Sequence, residues 1–519
     1  MANKALFKSI VGRFIPAATA TNHEGAPAYE YGPRHGLAQL AATGALGRTF
    51  YAEPQAQLEA ALKLAYEVEP EFLAKTAIYA RQRGHMKDLP ALLLAALSGM
   101  HGTEFARAFS RVVDNGRMLR NFVQIMRSGV TGRKSLGTRP KKLVQAWLDT
   151  ASDLEIMRAS VGQDPSLADV IKMVHPRPAS AERAALFAWL IGRPYDVGVL
   201  PRIVRDFEAF KRNLEHEVPD VPFQMLTSLP LSKEQWAGIG RKAGWHGLRM
   251  NLNTFARHGA FEVEGFAEHV AERLRDAEAI RRARVFPYQL MAAYAAAGEG
   301  VPAGVREALQ DAMEIAVCNV PQVAGRVVVC PDVSGSMASP VTGYRKGATS
   351  TVRCIDVAAL VAAAFLRANR EARVMPFEQG VVDVRLNPRD SVMTNAAKLA
   401  AIGGGGTNCS APVLRLAKEK ARVDLLVFVS DNESWVDATA PGRSGTGLMQ
   451  AFGQLKAINP DLRMVCIDIQ PHGTSQAVER DDILNVGGFS DAVFEMIGRF
   501  AGGTVGPEHW LGEIDKIEL

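Results

Sequence analysis

The hydrophobic rhythm of this chain changes once, at Pro321, and no other feature limits the fold as much. Before it, apolar residues recur at helical spacing: Leu58, Leu62, Ala65 and Tyr66 stand at i, i+4, i+7 and i+8. Breakers interrupt the pattern at short intervals, among them Gly84, Gly99, Gly116, Pro165, Pro176, Pro194, Pro201, Pro230, Gly259 and Pro302. That spacing predicts many helices of one length class joined by short turns. No exact repeat recurs, so degenerate helix pairs stacked as an α-solenoid fit best. After Pro321, apolar runs at 326–330, 374–377, 381–386, 423–430 and 462–469 alternate with amphipathic stretches. Those stretches cover about 354–369, 390–401, 411–420, 446–458 and 489–500. Such alternation predicts a mostly parallel sheet covered on both faces, with ligands beyond the strands' C-terminal ends. The expectation is a multidomain α and α/β protein. It has an irregular arm over 1–30, a helical domain over 31–320 and an α/β domain over 323–519.

The 519 residues suffice for two or three full-sized cores, and 47% hydrophobic with 22% charged content is that of a globular protein. The longest apolar run of the helical part, Leu89 to Met100, is too short to span a bilayer. The N-terminus lacks the apolar stretch of a secretion signal. Cys318, Cys330, Cys354, Cys409 and Cys466 show neither disulfide nor zinc spacing and read as reduced packing thiols. These features predict a cytoplasmic protein without a membrane partner. No Walker A lysine motif, Gly-x-Ser-x-Gly or His-Glu-x-x-His occurs, so an enzyme is the poorest reading.

Asp332-Val-Ser334-Gly-Ser336 follows the buried run Val327–Cys330 and sets one carboxylate and two hydroxyls within five residues. Hard oxygen groups suit Mg²⁺ and neither zinc nor copper. Asp and Ser are also ordinary turn residues, so this motif alone is weak. Two further segments strengthen it. Gly403–Asn408 offers a bare loop with the hydroxyl of Thr407, and the apolar run before Ser430-Asp431 ends in a second carboxylate.

Charge is unevenly placed. The net +5 divides into 40 Lys+Arg against 33 Asp+Glu before residue 321, and 20 against 22 from there on. Between Arg107 and Lys142 stand ten cations, opposed by Asp114 alone. Arg117, Arg120 and Arg127 recur at helical spacing, and Arg133, Lys134, Arg139, Lys141 and Lys142 form a basic turn. Lys172 and His175 add a second, smaller cluster. A solvated helical face usually mixes signs and this one barely does, so a polyanion such as the phosphate backbone is expected there. His175, before a proline, can equally be a packing histidine.

The order of the Asp-x-Ser-x-Ser, glycine-loop and Ser-Asp segments resembles the von Willebrand factor A domain with its metal-ion-dependent adhesion site. That resemblance implies that Asp332, Ser334, Ser336 and Thr407 ligate or surround Mg²⁺, with Asp431 acting through water. A basic helical domain followed by an A domain further resembles the Ro autoantigen family, whose helical part is the TROVE domain. Segments along the chain support this: Gly47–Tyr51, Lys172–Pro176, Ala283–Tyr288, Gly405–Ser410 and Asp431–Trp435. Asn408 stands where the family often has Asp, and Phe286 where it has His. The resemblance implies a ring or horseshoe of HEAT-like helix pairs with a Rossmann-like A domain. It implies binding of small noncoding Y-like RNA on an outer basic surface and of single-stranded 3′ ends of misfolded RNA in a central hole. It further implies a monomer, and in bacteria a 3′ exoribonuclease partner. The alternative is an Mg²⁺-dependent protein-interaction scaffold acting through the A domain, without direct RNA binding.

Overall fold

A computed structural model describes residues 15–43, 54–84, 86–283, 285–341, 352–369, 371–437, 445–471, 473–488, 491–503 and 509–519. The Gly47–Tyr51 segment and Arg284 lie outside these residues. The chain packs as two compact units, one of Met1–Leu64 with Ala271–Glu513, the other of Ala65–Val270 with Ile514–Leu519.

In the first unit, β3 (Val327–Pro331), β4 (Arg373–Val374), β5 (Leu425–Ser430), β6 (Arg463–Asp468) and β8 (Ile483–Gly487) form one parallel sheet in the order β4-β3-β5-β6-β8. β3, β5 and β8 are buried along their whole length, which explains the unbroken apolar run of β3 and of Leu425–Val429 in β5. The helices Cys354–Ala368, Val392–Ala400, Ser410–Lys418, Gly447–Lys456 and Asp491–Ala501 fall where amphipathic spacing predicts them. Two expectations differ. Residues 381–386 form no strand; only Val381 makes a bridge, to Phe377, and the run is at best half-buried. Conversely, the buried edge strand β8 forms despite Asn485, whose Nδ2 donates to Ala477 O and Glu479 Oε1 while its Oδ1 is left without a partner.

The arm read as irregular carries β1 (Ala20–Thr21) and β2 (Pro27–Glu30), which join β7 (Thr474–Ser475) in an antiparallel sheet. Helix Pro33–Thr43 follows, and Gln39 Nε2 donates to Asn485 O of β8 at 2.8 Å. Pro321 marks the change of secondary structure, but packing divides elsewhere. Glu314 of helix Ala303–Ala316 pairs with Arg367 at 3.2 Å and accepts from Val392 N at 2.6 Å. Phe286 stacks on Phe494 at 4.8 Å.

In the second unit several helices pack on the next or the next but one in sequence, the local packing of a solenoid. Helix Pro70–Gln82 meets Asp88–Leu97 and Glu104–Val112; Asp88–Leu97 meets Gly116–Ser128, which in turn meets Asp153–Ser160 and Leu167–Val174. Phe105, Phe109 and Phe122 interlock there with ring centroids 5.4 to 6.0 Å apart. The last residues return to this unit: Lys75 Nζ donates to Asp515 O at 3.1 Å and Arg107 Nη2 to Leu519 O at 2.8 Å. Among the described residues no helix is long and apolar enough to cross a membrane.

Gly116 opens its helix against Ala159. A Cβ there would sit 2.0 Å from Ala159 Cβ and 2.7 Å from its Cα. Gly116→Ala must therefore push the two helices apart. We expect a loss of about 1–3 kcal/mol in urea unfolding; an unchanged midpoint would mean that the helices have room to spare.

Candidate metal centre and nucleic-acid interface

The parallel pairing of β3 with β5 sets Pro331 opposite Val429, so both strands end on one edge, β5 one residue further along. Asp332 follows β3 and donates its N–H to Val429 O at 2.9 Å. Asp431 follows β5. The loop after Asp332 is fixed by backbone bonds from Val333 N to Phe377 O (2.9 Å) and from Gly335 N to Gly405 O (3.1 Å). The second bond brings the glycine loop over the strand ends. Thr407 Oγ1 then donates to Ser334 Oγ at 3.1 Å, and the Ser334 and Ser336 hydroxyls lie 3.3 Å apart. Asp332, Ser334, Ser336, Thr407 and Asp431 are all buried. The five residues singled out in sequence are thus brought to one place.

The two carboxyls differ in their surroundings. Asp332 accepts from Ser334 N at 2.8 Å and from the Ser430 hydroxyl at 2.6 Å. Burial still raises its pKa, against these bonds. Asp431 is pushed up to about 8 by burial first and then by the Asp332 charge, with hydrogen bonding from Ser336 working the other way. Its Oδ2 is buried without a hydrogen-bond partner. A buried acceptor left open is costly and needs an explanation. Two carboxyls, one of them with an orphaned oxygen, and three hydroxyls make a donor set that fits a hard dication. Among the described residues no three His, Cys, Asp or Glu side chains converge, so a cation here would depend on the hydroxyls.

Sequence reasoning missed Ser430, whose place beside Asp431 was signal enough. It also missed Asn22 and His23. Asn22 Nδ2 donates to Ser434 O at 2.8 Å, and His23 grips the carboxylate of Glu433, a residue buried two positions after Asp431. Nothing local in the sequence links positions some 400 residues apart.

In the second unit the basic residues sort by role. Helix Gly116–Ser128 is capped by Asn115, whose side chain accepts from Arg117 N and Met118 N. It ends in a turn where Gly129, Gly132 and Gly137 all take left-handed φ of 73° to 85°. That turn folds Lys134 back toward helix Thr138–Thr150. Arg127, Lys134, Lys141 and Lys142 line one groove of about 660 Å³ together with Gly137 and Thr138. Lys141, His175 and Arg177 line a second recess of about 540 Å³, which shares Lys141 and Gln145 with the first. His175 is exposed, in the left-handed region at φ 49°, and its carbonyl accepts from Gln145. Exposure disfavours the packing reading of this histidine.

The other cations stand apart from the groove. Arg117 and Lys172 are exposed. Arg120 is half-buried and donates to Val161 O at 2.6 Å and more weakly to Gln163 O and Pro165 O. Burial and the neighbouring Arg117 lower its pKa. Its guanidinium serves the fold. Arg133 lies against Gly99, and Arg139 stands 5.5 Å over the Phe105 ring.

The raised Asp431 pKa has a consequence for stability. Between the ordinary aspartate value of 3.8 and about 8 the folded state holds a proton that the unfolded state releases. In chelator-treated protein, stability should therefore fall as pH rises through that window. Asp431→Asn should flatten the slope and add about 1–3 kcal/mol at pH 8. Thermal melts of both proteins from pH 5 to 9 check this, and parallel slopes would contradict it.

Comparison with known proteins bears on both sites. Residues 326–501 match the family model described as the Ro60 vWA domain. A Deinococcus radiodurans protein named RNA-binding protein RO60 is 26% identical over 521 positions, covering 93% of this chain and 95% of that protein. A Caenorhabditis elegans protein of the same name is 24% identical over 49% of this chain and 40% of its own length. The crystal structure of the Deinococcus radiodurans RO (RSR) protein matches with a TM-score of 0.63 and 22% identity, over 91% of this chain and 100% of that one. Residues 326–501 thus match the Ro60 vWA domain model, and most of the chain is similar to proteins named RNA-binding protein RO60.

Proposed function

We propose that this chain is an RNA-binding protein of the Ro type. It holds a small structured noncoding RNA of the Y class on the groove between Lys134 and Lys142, and it accepts single-stranded 3′ ends of misfolded RNA. The observation that carries the reading is the groove itself. Four cations line it, no acidic side chain does, and the N-terminus of helix Thr138–Thr150 opens into it. Gly137 caps that helix without a side chain, which leaves the amides of Thr138 and Arg139 uncapped, Pro140 having none. Free amides, the positive helix end and lysine ammoniums together suit phosphate oxygens. The relatives' name, RNA-binding protein, supports the same ligand class and asks for no catalysis.

The strand-end site is proposed to take Mg²⁺, held by Asp332, Ser334, Ser336 and Thr407, with Asp431 as the neighbouring carboxylate. The ion would supply a positive centre with a place for an outside oxygen ligand. Trp435 and Val436, exposed by 42% and 37%, both bond through their N–H to Thr407 O. An apolar pair beside a cation favours a protein ligand there, so protein docking on the A domain stands beside RNA binding on the helices.

Two outcomes test the division. Changing Lys134, Lys141 and Lys142 together to Ala should weaken binding of a structured RNA and lower the log–log salt slope by about 2 to 3, since each phosphate contact contributes roughly 0.7–0.9. A filter-binding series across salt reads both, and an unmoved slope would leave the groove a solvated surface. Asp332→Ala should abolish Mg²⁺ binding in calorimetry while RNA affinity stays within about twofold, because the groove belongs to the other packing unit. Equal loss of both ligands by a folded variant would contradict the separation.

A further inference from the structure

Residues 431–434 leave β5 and carry the second carboxylate of the strand-end site. The loop holds itself through a long bond from Glu433 N to Asp431 Oδ1 at 3.4 Å and through its flanks, where Asn432 N donates to Ser430 Oγ at 3.0 Å and Ser434 Oγ to Asp437 Oδ1 at 2.6 Å. Asn432 sits in the left-handed region at φ 63°. Further bonds come from outside, three of them from the other end of the chain. His23 donates its N–H to Glu433 Oε2 at 2.9 Å and faces Oε1 with Nδ1 at 3.0 Å. Since a carboxylate only accepts, Nδ1 must carry a proton. Both oxygens of a side chain exposed by 1% are thus held by one residue.

Asn22 holds the next position. Its Oδ1 accepts from Glu24 N at 3.1 Å and Ala26 N at 2.8 Å, which closes the tight turn of the arm. Its Nδ2 donates to Ser434 O at 2.8 Å. Ser434 passes the constraint on: its hydroxyl accepts from Cys409 N at 3.0 Å and lies 3.3 Å from Thr407 O. The arm is itself anchored, because Tyr29 and Glu30 of β2 pair with Ser475 and Thr474 of β7. Gln476 N in turn donates to Asn432 Oδ1 at 3.3 Å. Arm and β7 therefore grip the loop from two sides.

We propose that Asn22 and His23 are positioning residues of the metal-ion site, and that the arm holds residues 431–434 in the conformation that accepts a cation. The inference rests on the Mg²⁺ reading above. Without the grip, the loop can turn the Asp431 carboxylate toward water and relieve its orphaned oxygen. With it, that oxygen stays buried and ready. Partners one step behind a metal's ligands commonly change its affinity by about 10- to 100-fold.

Asn22→Asp separates this role from folding. The variant keeps both Oδ1 bonds of the turn and loses the donor to Ser434. His23→Ala removes the side-chain contact with Glu433, and His23→Gln restores a donor. Mn²⁺ binding followed by electron paramagnetic resonance, with Mg²⁺ competition, should show about tenfold weaker binding in Asn22→Asp and His23→Ala and partial recovery in His23→Gln. Hydrogen exchange of the amides at 431–437 should quicken in the same two variants. Unchanged Mn²⁺ affinity in folded Asn22→Asp and His23→Ala overturns the role of the arm and leaves the metal reading standing. Wild-type protein that binds neither ion removes the metal reading and this inference together. Should His23→Ala melt the domain, Asn22→Asp decides.

Discussion

Everything at the candidate metal site depends on β3 and β5 being parallel neighbours in register. Parallel pairing puts both C-terminal ends on one edge, and the match of Pro331 with Val429 puts Asp332 one residue and Asp431 two residues beyond it. A shift of one residue would turn every second side chain to the other face. Bonds at the strand ends hold the register: Asp332 N donates to Val429 O at 2.9 Å and the Ser430 hydroxyl to Asp332 Oδ2 at 2.6 Å. Two carboxyls are thus forced together in a buried place, where burial and the neighbouring charge raise the Asp431 pKa. The acidity of Asp431 is a product of sheet register.

How much of this the sequence discloses follows from range. Asp332, Ser334 and Ser336 are adjacent, and each of the three segments ends or follows a readable apolar run, so the site was legible. Ser430 was within reach of the same reasoning. Asn22 and His23 were not, because their partners Ser434 and Glu433 lie more than 400 positions away and neither residue type is unusual in a turn. The run 381–386 looks like a strand, yet it makes a single bridge, Val381 to Phe377, and stays partly exposed. β8 was overlooked for a different reason: Asn485 breaks its apolar pattern but is buried within the strand, its Nδ2 donating to Ala477 O and Glu479 Oε1.

The basic run shows a different limit. Its charge is plain in sequence, but charge alone does not say which cations face outward. Arg120, at helical spacing with Arg117 and Arg127, turns onto backbone carbonyls. Arg107 and Arg111 bond to carbonyls of the last two residues. Lysines 134, 141 and 142 become neighbours only because three left-handed glycines fold the turn between two helices. The change at Pro321 likewise gives the boundary between kinds of secondary structure, while packing carries the 271–320 helices into the α/β unit.

The arm's partners also set a schedule for synthesis. Asn22 waits for Ser434, 412 residues later, and β2 waits for β7. At about 5–20 residues per second that delay is roughly 20–80 s on the ribosome. The second unit can form its helices as they emerge, since their contacts are local. The first cannot close until nearly the whole chain exists. Until then the β1–β2 hairpin offers an unpaired edge to any other strand nearby. The stage of life at which this protein is most exposed to misassembly is therefore the middle of its own translation.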